Sequence, residues 1–206
     1  MEIRRTANSG VLLKLDGLSF LLDGICKDFP PYEGTPESIR KELTESFPDA
    51  LFFTHSHPDH YDDEYSDNYT KSTARPVYGP CCRPCDYLGK VKLSCVETRH
   101  IGKNDTEHVS FILEGSKCVW FVGDASPLVW KKEENLPKPD VLIVPYAYAI
   151  TQSAWLLTKE LGAEKIILLH LPKRENDTYN LWEAVENTTK GESCLCIPDM
   201  NETIVF

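Results

Sequence analysis

Three of the six histidines of the chain fall within one short segment, His55-Ser56-His57-Pro58-Asp59-His60. Imidazole nitrogen is a strong ligand for Zn²⁺ and similar ions, and His55 and His57, two positions apart on a curved loop, can both point at one ion. Asp59 and His60 then face a second, neighbouring metal position. Because Pro58 fixes the loop, the ordering cost of assembling two adjacent metal positions is reduced. The alternative is a solvated polar turn, which this crowding of ligand types disfavours.

This segment resembles the signature His-x-His-x-Asp-His of the metallo-β-lactamase superfamily. The wider pattern of that superfamily adds an aspartate closing an early strand, a histidine in a third segment, a Gly-Asp after a hairpin and a histidine ending a late strand. In this chain the corresponding residues are Asp23, His100 or His108, Gly123-Asp124 and His170. The segments FTHSHPDHYD, GDAS and LLHLP look most like a branch of small metal-dependent hydrolases that includes ascorbate-phosphate-lactonase-like members.

The resemblance implies an α/β fold (α+β in some classifications), a four-layer αβ/βα sandwich with two mixed sheets face to face and a dinuclear metal cleft along one edge. It also implies a ligand set: His55, His57 and His100 on the first ion, Asp59, His60 and His170 on the second, and Asp124 bridging both. Asp23 would orient a ligand histidine through its other ring nitrogen. A carboxylate that caps the turn at Gly24 explains Asp23 equally well.

The third-segment ligand has two candidates. His100 directly follows a predicted strand, whereas His108 lies one residue before the next predicted strand and 16 residues before Asp124. We expect His100 to be the ligand and His108 to be a pocket or surface histidine.

Two divalent ions about 3.5–4 Å apart can share a water, lower its pKa from about 15.7 towards ~7 and present hydroxide as a nucleophile. Asp59 could orient that water or accept its proton. The ligand set suits Zn²⁺ first, with Mn²⁺ or Fe²⁺ as alternatives. Where the redox diiron branch resembling flavodiiron proteins carries a carboxylate, this chain has His57, which favours hydrolysis.

We therefore expect an enzyme, a metal-dependent hydrolase that acts on a small ester, lactone, thioester or phosphoester. A phosphodiesterase or nuclease is one alternative. A metal-binding module of the same fold without turnover is the other.

The elements that must position these residues begin with a hairpin, Val11–Leu15 and Leu18–Leu22, around the turn dipeptide Asp16-Gly17. A second hairpin, 109–113 with 118–122, repeats this layout and indicates two similar halves. Buried strands are predicted at 49–54, 141–144 and 166–169, with short strands near Leu195 and Ile204. Residues 61–76 are polar, and we expect them to be irregular.

Helices alternate with these strands. Thr35 is predicted to cap a helix with Pro36 at its first position and an apolar face of Ile39, Leu43 and Phe47. Further helices are predicted at 151–161, with Ala154, Leu157 and Leu161 inward, and at 180–189. The alternation indicates an α/β or α+β class with mixed sheets. No linker is visible, so residues 1–206 are expected to form one metallo-hydrolase domain.

Charge limits the partners. The chain of 206 residues has 32 acidic and 22 basic side chains, a formal net charge of −10, which disfavours a protein that grips nucleic-acid phosphates. Two divalent ions would bring the total to about −6 and make the cleft locally positive, so that a small substrate, including an anionic one, is expected. We find no signal-peptide pattern and no apolar run of the ~20 residues that a bilayer requires, and so expect a cytoplasmic protein that does not enter a membrane.

Other side chains have two explanations each. Tyr146, at the end of a buried strand, could donate a hydrogen bond to substrate, although aromatic packing is the commoner role. The acidic run Asp62-Asp63-Glu64 is interpreted as a solvated face. The cysteines at positions 81, 82, 85, 194 and 196 could form a separate structural zinc site. We favour reduced, partly buried thiols, with Cys95 and Cys118 as small apolar residues on strands.

Overall fold

The computed structural model of the protein describes residues 1–84, 86–102, 106–133 and 135–206. In these residues the strands are β1 Glu2–Arg5, β2 Val11–Leu15, β3 Leu18–Leu22, β4 Ala50–Phe52, β5 Val77–Tyr78, β6 Tyr87–Leu88, β7 Val91–Glu97, β8 Val109–Glu114, β9 Cys118–Phe121, β10 Val141–Pro145, β11 Lys165–Leu169, β12 Leu195–Cys196 and β13 Thr203–Val205. The α-helices are α1 Glu37–Glu45, α2 Asp63–Thr73, α3 Gln152–Glu160 and α4 Leu181–Thr188. Short 3-10 turns lie at Val129–Lys132, Tyr146–Tyr148 and Arg174–Asn176.

The strands form two mixed sheets. One has the order β13-β1-β2-β3-β4-β5 and the other β12-β11-β10-β9-β8-β7-β6. In each sheet an antiparallel hairpin, β2-β3 or β8-β9, leads into parallel pairing with the strands that follow. Asp16 and Gly17 both have positive φ, 52° and 83°, as the predicted hairpin turn requires. The predicted repetition of layout is therefore present in both sheets.

The apolar core lies between the two sheets. Phe20 and Phe52 from one sheet meet Phe111 and Phe121 from the other, and the rings of Phe52 and Phe111 pack edge to face with centroids 5.0 Å apart. All four side chains are at most 1% exposed. This layer is the largest apolar contact between the sheets, and the hydrophobic effect there holds them face to face.

Helices cover both outer faces and complete the predicted four-layer sandwich. Ile39 and Leu43 of α1 pack with Leu51 on the outside of the first sheet. Trp155 of α3 and Val185 of α4 do the same on the second. On α3 the inward face differs from the prediction, because Trp155 and Thr158 are its buried residues and Ala154, Leu157 and Leu161 are half-buried.

The expectation that residues 61–76 are irregular is wrong, because most of them form α2. Asp62 caps this helix by accepting a hydrogen bond from the backbone N–H of Tyr65 at 2.9 Å. Tyr65 and Tyr69, four residues apart, are buried on one face. Two tyrosines four residues apart in a polar segment are a weak signal for a helix. Asp62 is not part of a solvated face, because it is a buried cap and its carboxylate also pairs with Arg40 at 2.8 Å.

The predicted cap of α1 is also wrong. The Thr35 hydroxyl accepts a hydrogen bond from the backbone N–H of Cys26 at 3.0 Å, so it closes the preceding loop. The helix begins at Glu37 with Pro36 at the cap position and no side-chain cap. Among the described residues, no helix has both the length and the apolar character needed to cross a bilayer.

Replacing Phe111 by Ala is expected to lower the free energy of unfolding by about 3–5 kcal/mol, because it leaves a cavity between the sheets. The matched control is Leu156→Ala on α3, where the side chain is 55% exposed and a change within about 0.5 kcal/mol is expected. Urea unfolding followed by circular dichroism measures both. Equal effects of the two substitutions would contradict the assigned core.

Candidate metal centre

The predicted site residues gather where strands end at one edge of the sandwich. Asp23 follows β3, His55 lies just after β4, Asp124 follows β9 and His170 follows β11. The two sheets are joined there, because the backbone N–H of Val109 donates to the carbonyl of Thr54 at 3.0 Å. Asp23 and His170 have positive φ, 44° and 65°, a strained conformation for residues with a Cβ that is common at functional sites.

The histidine loop is held from outside by neighbouring segments. The carbonyl of Pro58 accepts a hydrogen bond from the N–H of Lys27 at 2.8 Å. The Ser9 hydroxyl donates to the carbonyl of Asp59 at 2.7 Å. Within the loop, the N–H of His60 donates to the carbonyl of His57 at 3.0 Å. The loop is therefore fixed before any ligand arrives.

Three imidazoles form a first group. The side-chain donor atoms of His55, His57 and His100 all lie within 4.8 Å of one another. The closest pair is His55 Nε2 and His57 Nδ1 at 2.9 Å. His100 donates from Nδ1 to the carbonyl of Ile101, which leaves its Nε2 facing the group.

A second group consists of Asp59, His60 and His170, again within 4.8 Å of one another. The Nε2 atoms of His60 and His170 are 3.1 Å apart. One carboxylate oxygen of Asp59, Oδ2, lies 3.3 Å from His170 Nε2. All three side chains are buried.

Asp124 lies between the two groups. Its Oδ2 is 3.6 Å from Nε2 of His100 in the first group and 3.5 Å from Nε2 of both His60 and His170 in the second. Gly123 allows this approach, because a Cβ at that position would come within 2.5 Å of the Thr54 side chain. Together with Asp124, the structure thus assembles all seven predicted ligand residues.

Three buried polar atoms of this cluster have no hydrogen-bond partner among the described residues. They are Asp59 Oδ1, His100 Nε2 and Asp124 Oδ1. An unpaired buried acceptor carries a desolvation cost, and three such atoms in one cluster are accounted for if their partner is a cation or a water bound to it. Imidazole nitrogens and carboxylate oxygens at these separations fit divalent transition metals.

Asp23 and Thr54 orient two of the imidazoles. Oδ2 of Asp23 accepts from His60 Nδ1 at 2.7 Å and from the Thr54 hydroxyl at 2.6 Å, and Oδ1 accepts from the Thr54 N–H at 2.8 Å. The Thr54 oxygen in turn lies 3.0 Å from His55 Nδ1. Since the Nδ1 atoms of His55 and His60 are occupied, both rings present Nε2 to the site. Both oxygens of Asp23 are engaged, so it supports ligands rather than joining them.

Burial and charge set opposite protonation tendencies on these two rings. Burial holds the pKa of His55 far below its usual range, so this imidazole is neutral and has a free lone pair. Burial also lowers the pKa of His60, but the Asp124 and Asp23 carboxylates outweigh it and the pKa lies well above the ordinary value. The second group therefore has a strong electrostatic demand for positive charge.

His108 has a different position from His100. Its Nε2 accepts a hydrogen bond from the backbone N–H of Asp124 at 3.0 Å, and its Nδ1 lies 2.7 Å from the Thr98 hydroxyl. The Thr98 hydroxyl also lies 3.2 Å from the Ser110 hydroxyl. Burial lowers the pKa of His108 to about 3, so it is neutral. His108 is buried, so it is not a surface histidine, and its Nε2 supports the backbone of Asp124.

Two tyrosines stand beside His170. The ring of Tyr32 packs edge-on against His170 with centroids 4.3 Å apart, and Tyr146 lies at 5.9 Å. Their hydroxyl oxygens are 3.5 Å apart. Burial and the neighbouring Tyr146 raise the pKa of Tyr32, which keeps it a neutral donor.

Sequence reasoning missed Tyr32, Asn8 and Ser9. Asn8 Nδ2 lies 3.4 Å from His170 Nδ1, and the backbone N–H of His170 donates to the Asn8 carbonyl at 3.0 Å. Asn8 and Ser9 belong to a small polar run between β1 and β2 that resembles an ordinary surface turn, but it is buried. The loop of Tyr32 has two prolines and no ligand pattern, so nothing local marked it.

The cysteines in the described part of the chain do not form a metal site. Cys81 and Cys82 are exposed, and Cys194 and Cys196 are half-buried. Cys85 lies outside the described residues. Among the described residues, the groups of three or more ligand side chains contain only histidine and aspartate. Cys95 and Cys118 pack against the two cores as predicted.

Solved structures resemble the whole chain. A possible metal-dependent hydrolase from Veillonella parvula superposes with a TM-score of 0.71 at 19% identity, covering 100% of this chain and 99% of that one. A metallo-β-lactamase fold protein from Bacillus subtilis superposes with a TM-score of 0.60 at 17% identity, covering 96% and 92%. The chain has the metallo-β-lactamase fold.

Proteins with this fold differ in activity, so the fold alone does not give the reaction. The diiron β-hydroxylase CmlA of Streptomyces venezuelae superposes on the same metallo-β-lactamase fold with a TM-score of 0.64 at 11% identity, covering 100% of this chain and 54% of that one. No protein-family model matches the chain.

One curated relative shares a segment. The type II inositol 3,4-bisphosphate 4-phosphatase of Rattus norvegicus is 29% identical over 91 residues, which is 42% of this chain and 10% of that protein. The match thus spans about a tenth of the length of the curated relative.

In the metal-free protein, His108→Ala is expected to lower the free energy of unfolding by about 1–3 kcal/mol, because the buried N–H of Asp124 loses its acceptor. His100→Ala removes no partner from Nε2 and should cost less than about 1 kcal/mol. Urea unfolding in the presence of a chelator measures both. The reverse order would show that His108 does not support the Asp124 backbone.

Proposed function

We propose that the protein is a metal-dependent hydrolase with two divalent ions, which cleaves a small ester, lactone, thioester or phosphoester. The observation that carries this proposal is the pair of ligand groups that share Asp124. One group is rich in imidazole and the other mixes imidazole with carboxylate, and each group, like Asp124, has a buried atom with no hydrogen-bond partner among the described residues.

In this proposal His55, His57 and His100 would hold the first ion, and Asp59, His60 and His170 would hold the second. Asp124 would contact both. The distances from Asp124 Oδ2 to His100 and His170, 3.6 and 3.5 Å, support a bridging carboxylate. Zn²⁺ is the first choice for this set, and Mn²⁺ and Fe²⁺ remain alternatives.

When bound, the two ions supply Lewis acidity and make water available as a nucleophile at neutral pH. Asp59 keeps Oδ1 buried and unpaired in the site, so this oxygen orients the attacking water and accepts its proton. His170 Nε2 lies 3.3 Å from the other carboxylate oxygen, Asp59 Oδ2, and positions this carboxylate. The protein thereby holds the proton acceptor ready before substrate binds.

The tyrosine pair supports a donor role toward substrate. Tyr146 has its hydroxyl 3.5 Å from that of Tyr32, on the His170 side of the centre. A neutral phenol there donates to the substrate oxygen that gains negative charge during cleavage. The net charge of −10 disfavours a nucleic acid as substrate and supports a small molecule, which can itself be anionic. A cytoplasmic location stays a prediction.

The purified protein is expected to bind two zinc ions per chain, measured by elemental analysis after loading and gel filtration. His100→Ala and His170→Ala should each reduce the content, because each removes a ligand from a different ion. His108→Gln is the matched histidine control and should retain two. Wild-type protein that binds no transition metal after loading would refute the proposal.

The zinc-loaded protein is expected to hydrolyse at least one member of a panel of esters, lactones, thioesters, phosphomonoesters and phosphodiesters. Asp59→Asn should lower kcat by about 10²–10⁴-fold, because it removes the proton acceptor, and the zinc content of this variant shows whether the second ion is also lost. Turnover confined to phosphodiesters would favour a phosphodiesterase or nuclease. Two bound ions without any turnover would favour a non-catalytic metal-binding module.

Asp23→Asn is expected to weaken zinc binding by about 10–100-fold, because an amide orients the His60 ring less firmly than a carboxylate. Thr54→Ser is the matched control, since it keeps the hydroxyl between Asp23 and His55. Competition with a chromophoric chelator measures both dissociation constants. Equal affinities of Asp23→Asn and wild type would show that Asp23 only closes its turn.

A further inference from the structure

A cavity of about 330 Å³ adjoins the candidate metal centre. Its walls come from the end of β4, from Tyr61 after the histidine loop, and from β5 with the turn that follows it. Phe53, Tyr61, Val77 and Tyr78 supply much of its surface, and Cys81 and Cys82 lie on the outer side. This volume is within the range of small-molecule sites.

The cavity and the metal centre share two chain segments. His55, whose Nε2 faces the first ligand group, forms part of the cavity wall together with Ser56. On the opposite side Glu107 lines the cavity, and the adjacent Thr106 has its hydroxyl 3.4 Å from His57 Nε2. A molecule with its reactive bond at the metal centre can therefore place another part in this cavity.

The walls favour an apolar occupant. The ring of Tyr61 packs edge-on against Phe53 with centroids 4.7 Å apart, and Phe53 is only 4% exposed, so the inner wall is rigid and aromatic. Among the described lining residues, Glu107 is the one carboxylate, and lysine and arginine do not occur. An anionic group meets a like charge and no cationic side chain among these lining residues, whereas an aromatic ring finds aromatic neighbours.

We propose that this cavity binds an uncharged apolar group of the substrate, an aromatic ring or a branched hydrocarbon, while the bond to be cleaved lies at the metal centre. The inference rests on the proposed function and specifies its substrate class. The polar or charged end of the substrate belongs near the two ligand groups. The apolar end selects among substrates.

Cys81 and Cys82 provide a readout that does not require turnover. With zinc-loaded protein, saturating 2-naphthol is expected to slow maleimide labelling of these two thiols by about tenfold or more, measured by mass spectrometry. Cys194, on the far side of the second sheet next to β12, is the internal control and should keep its labelling rate. Glucose, a polar ring, should protect neither. Unchanged labelling of Cys81 and Cys82 at saturating 2-naphthol would overturn the proposal.

A substitution that fills the cavity tests the proposal independently. Cys82→Trp adds bulk at an exposed lining position and is expected to weaken 2-naphthol binding about tenfold in calorimetry, the order expected for losing the burial of one apolar group. Leu156→Trp adds the same side chain on exposed α3 and should leave the affinity unchanged. The ratio of kcat/KM for 2-naphthyl acetate to that for methyl acetate should fall about tenfold in Cys82→Trp only.

The two proposals fail in different ways. Protection by 2-naphthol without turnover of any member of the ester, lactone, thioester and phosphoester panel would support the cavity and contradict the hydrolase. Hydrolysis of both esters, with no protection and the same ratio in Cys82→Trp, would support the hydrolase and overturn the cavity proposal. Zinc content, measured in every variant, shows whether a loss comes from the metal centre instead.

Discussion

The hydrogen bonds between Asp23 and Thr54 determine the geometry of everything around them. These bonds join the end of β3 to the end of β4, and they orient two histidine rings so that Nε2 faces the site. The carbonyl of Thr54 also accepts a hydrogen bond from Val109 of the other sheet. Gly123 approaches the same threonine too closely for any side chain. One small β-branched residue thus sets the distance between the two halves of the site. Serine would keep these bonds, but valine of similar shape would remove one of the three donors to the buried Asp23 carboxylate.

The buried charge at this edge is stable only with a cationic partner. Asp23 is fully buried and burial raises its pKa, while Asp124 and Asp59 crowd around imidazoles that are themselves desolvated. In the absence of ions, protons on the histidines must balance these carboxylates. Metal binding replaces that positive charge and couples to folding, because a site of this kind is not formed in the unfolded chain. The sandwich core stabilises this arrangement, since it keeps the strand ends from separating.

The sequence predicted the parts of the site that depend on local pattern. The six-residue histidine loop, the Gly-Asp after a hairpin and the histidine after a buried strand are all visible in one dimension. The role of His108 was not, because its buried position follows from β8 lying against the Asp124 turn. Tyr32 and Asn8 come from loops that meet His170 only after folding. Helix α2 was missed for a related reason: its apolar face is two tyrosines, and tertiary packing supplies the stability that periodicity did not show.

The sheets and the loops contribute to the site in different ways. The ligand side chains of the proposed centre lie after strand ends or on the histidine loop that follows β4, and hydrogen bonds from neighbouring segments hold that loop in place. Tyr32 and the outer part of the cavity wall, Cys81 and Cys82, lie in connections between strands. Substitutions in the connections can therefore change which molecule fits without disturbing how ions are held. Substrate selectivity can therefore change during evolution while the metal-dependent reaction is kept. For the same reason, the connecting loops are the segments to randomise in a library designed to change selectivity.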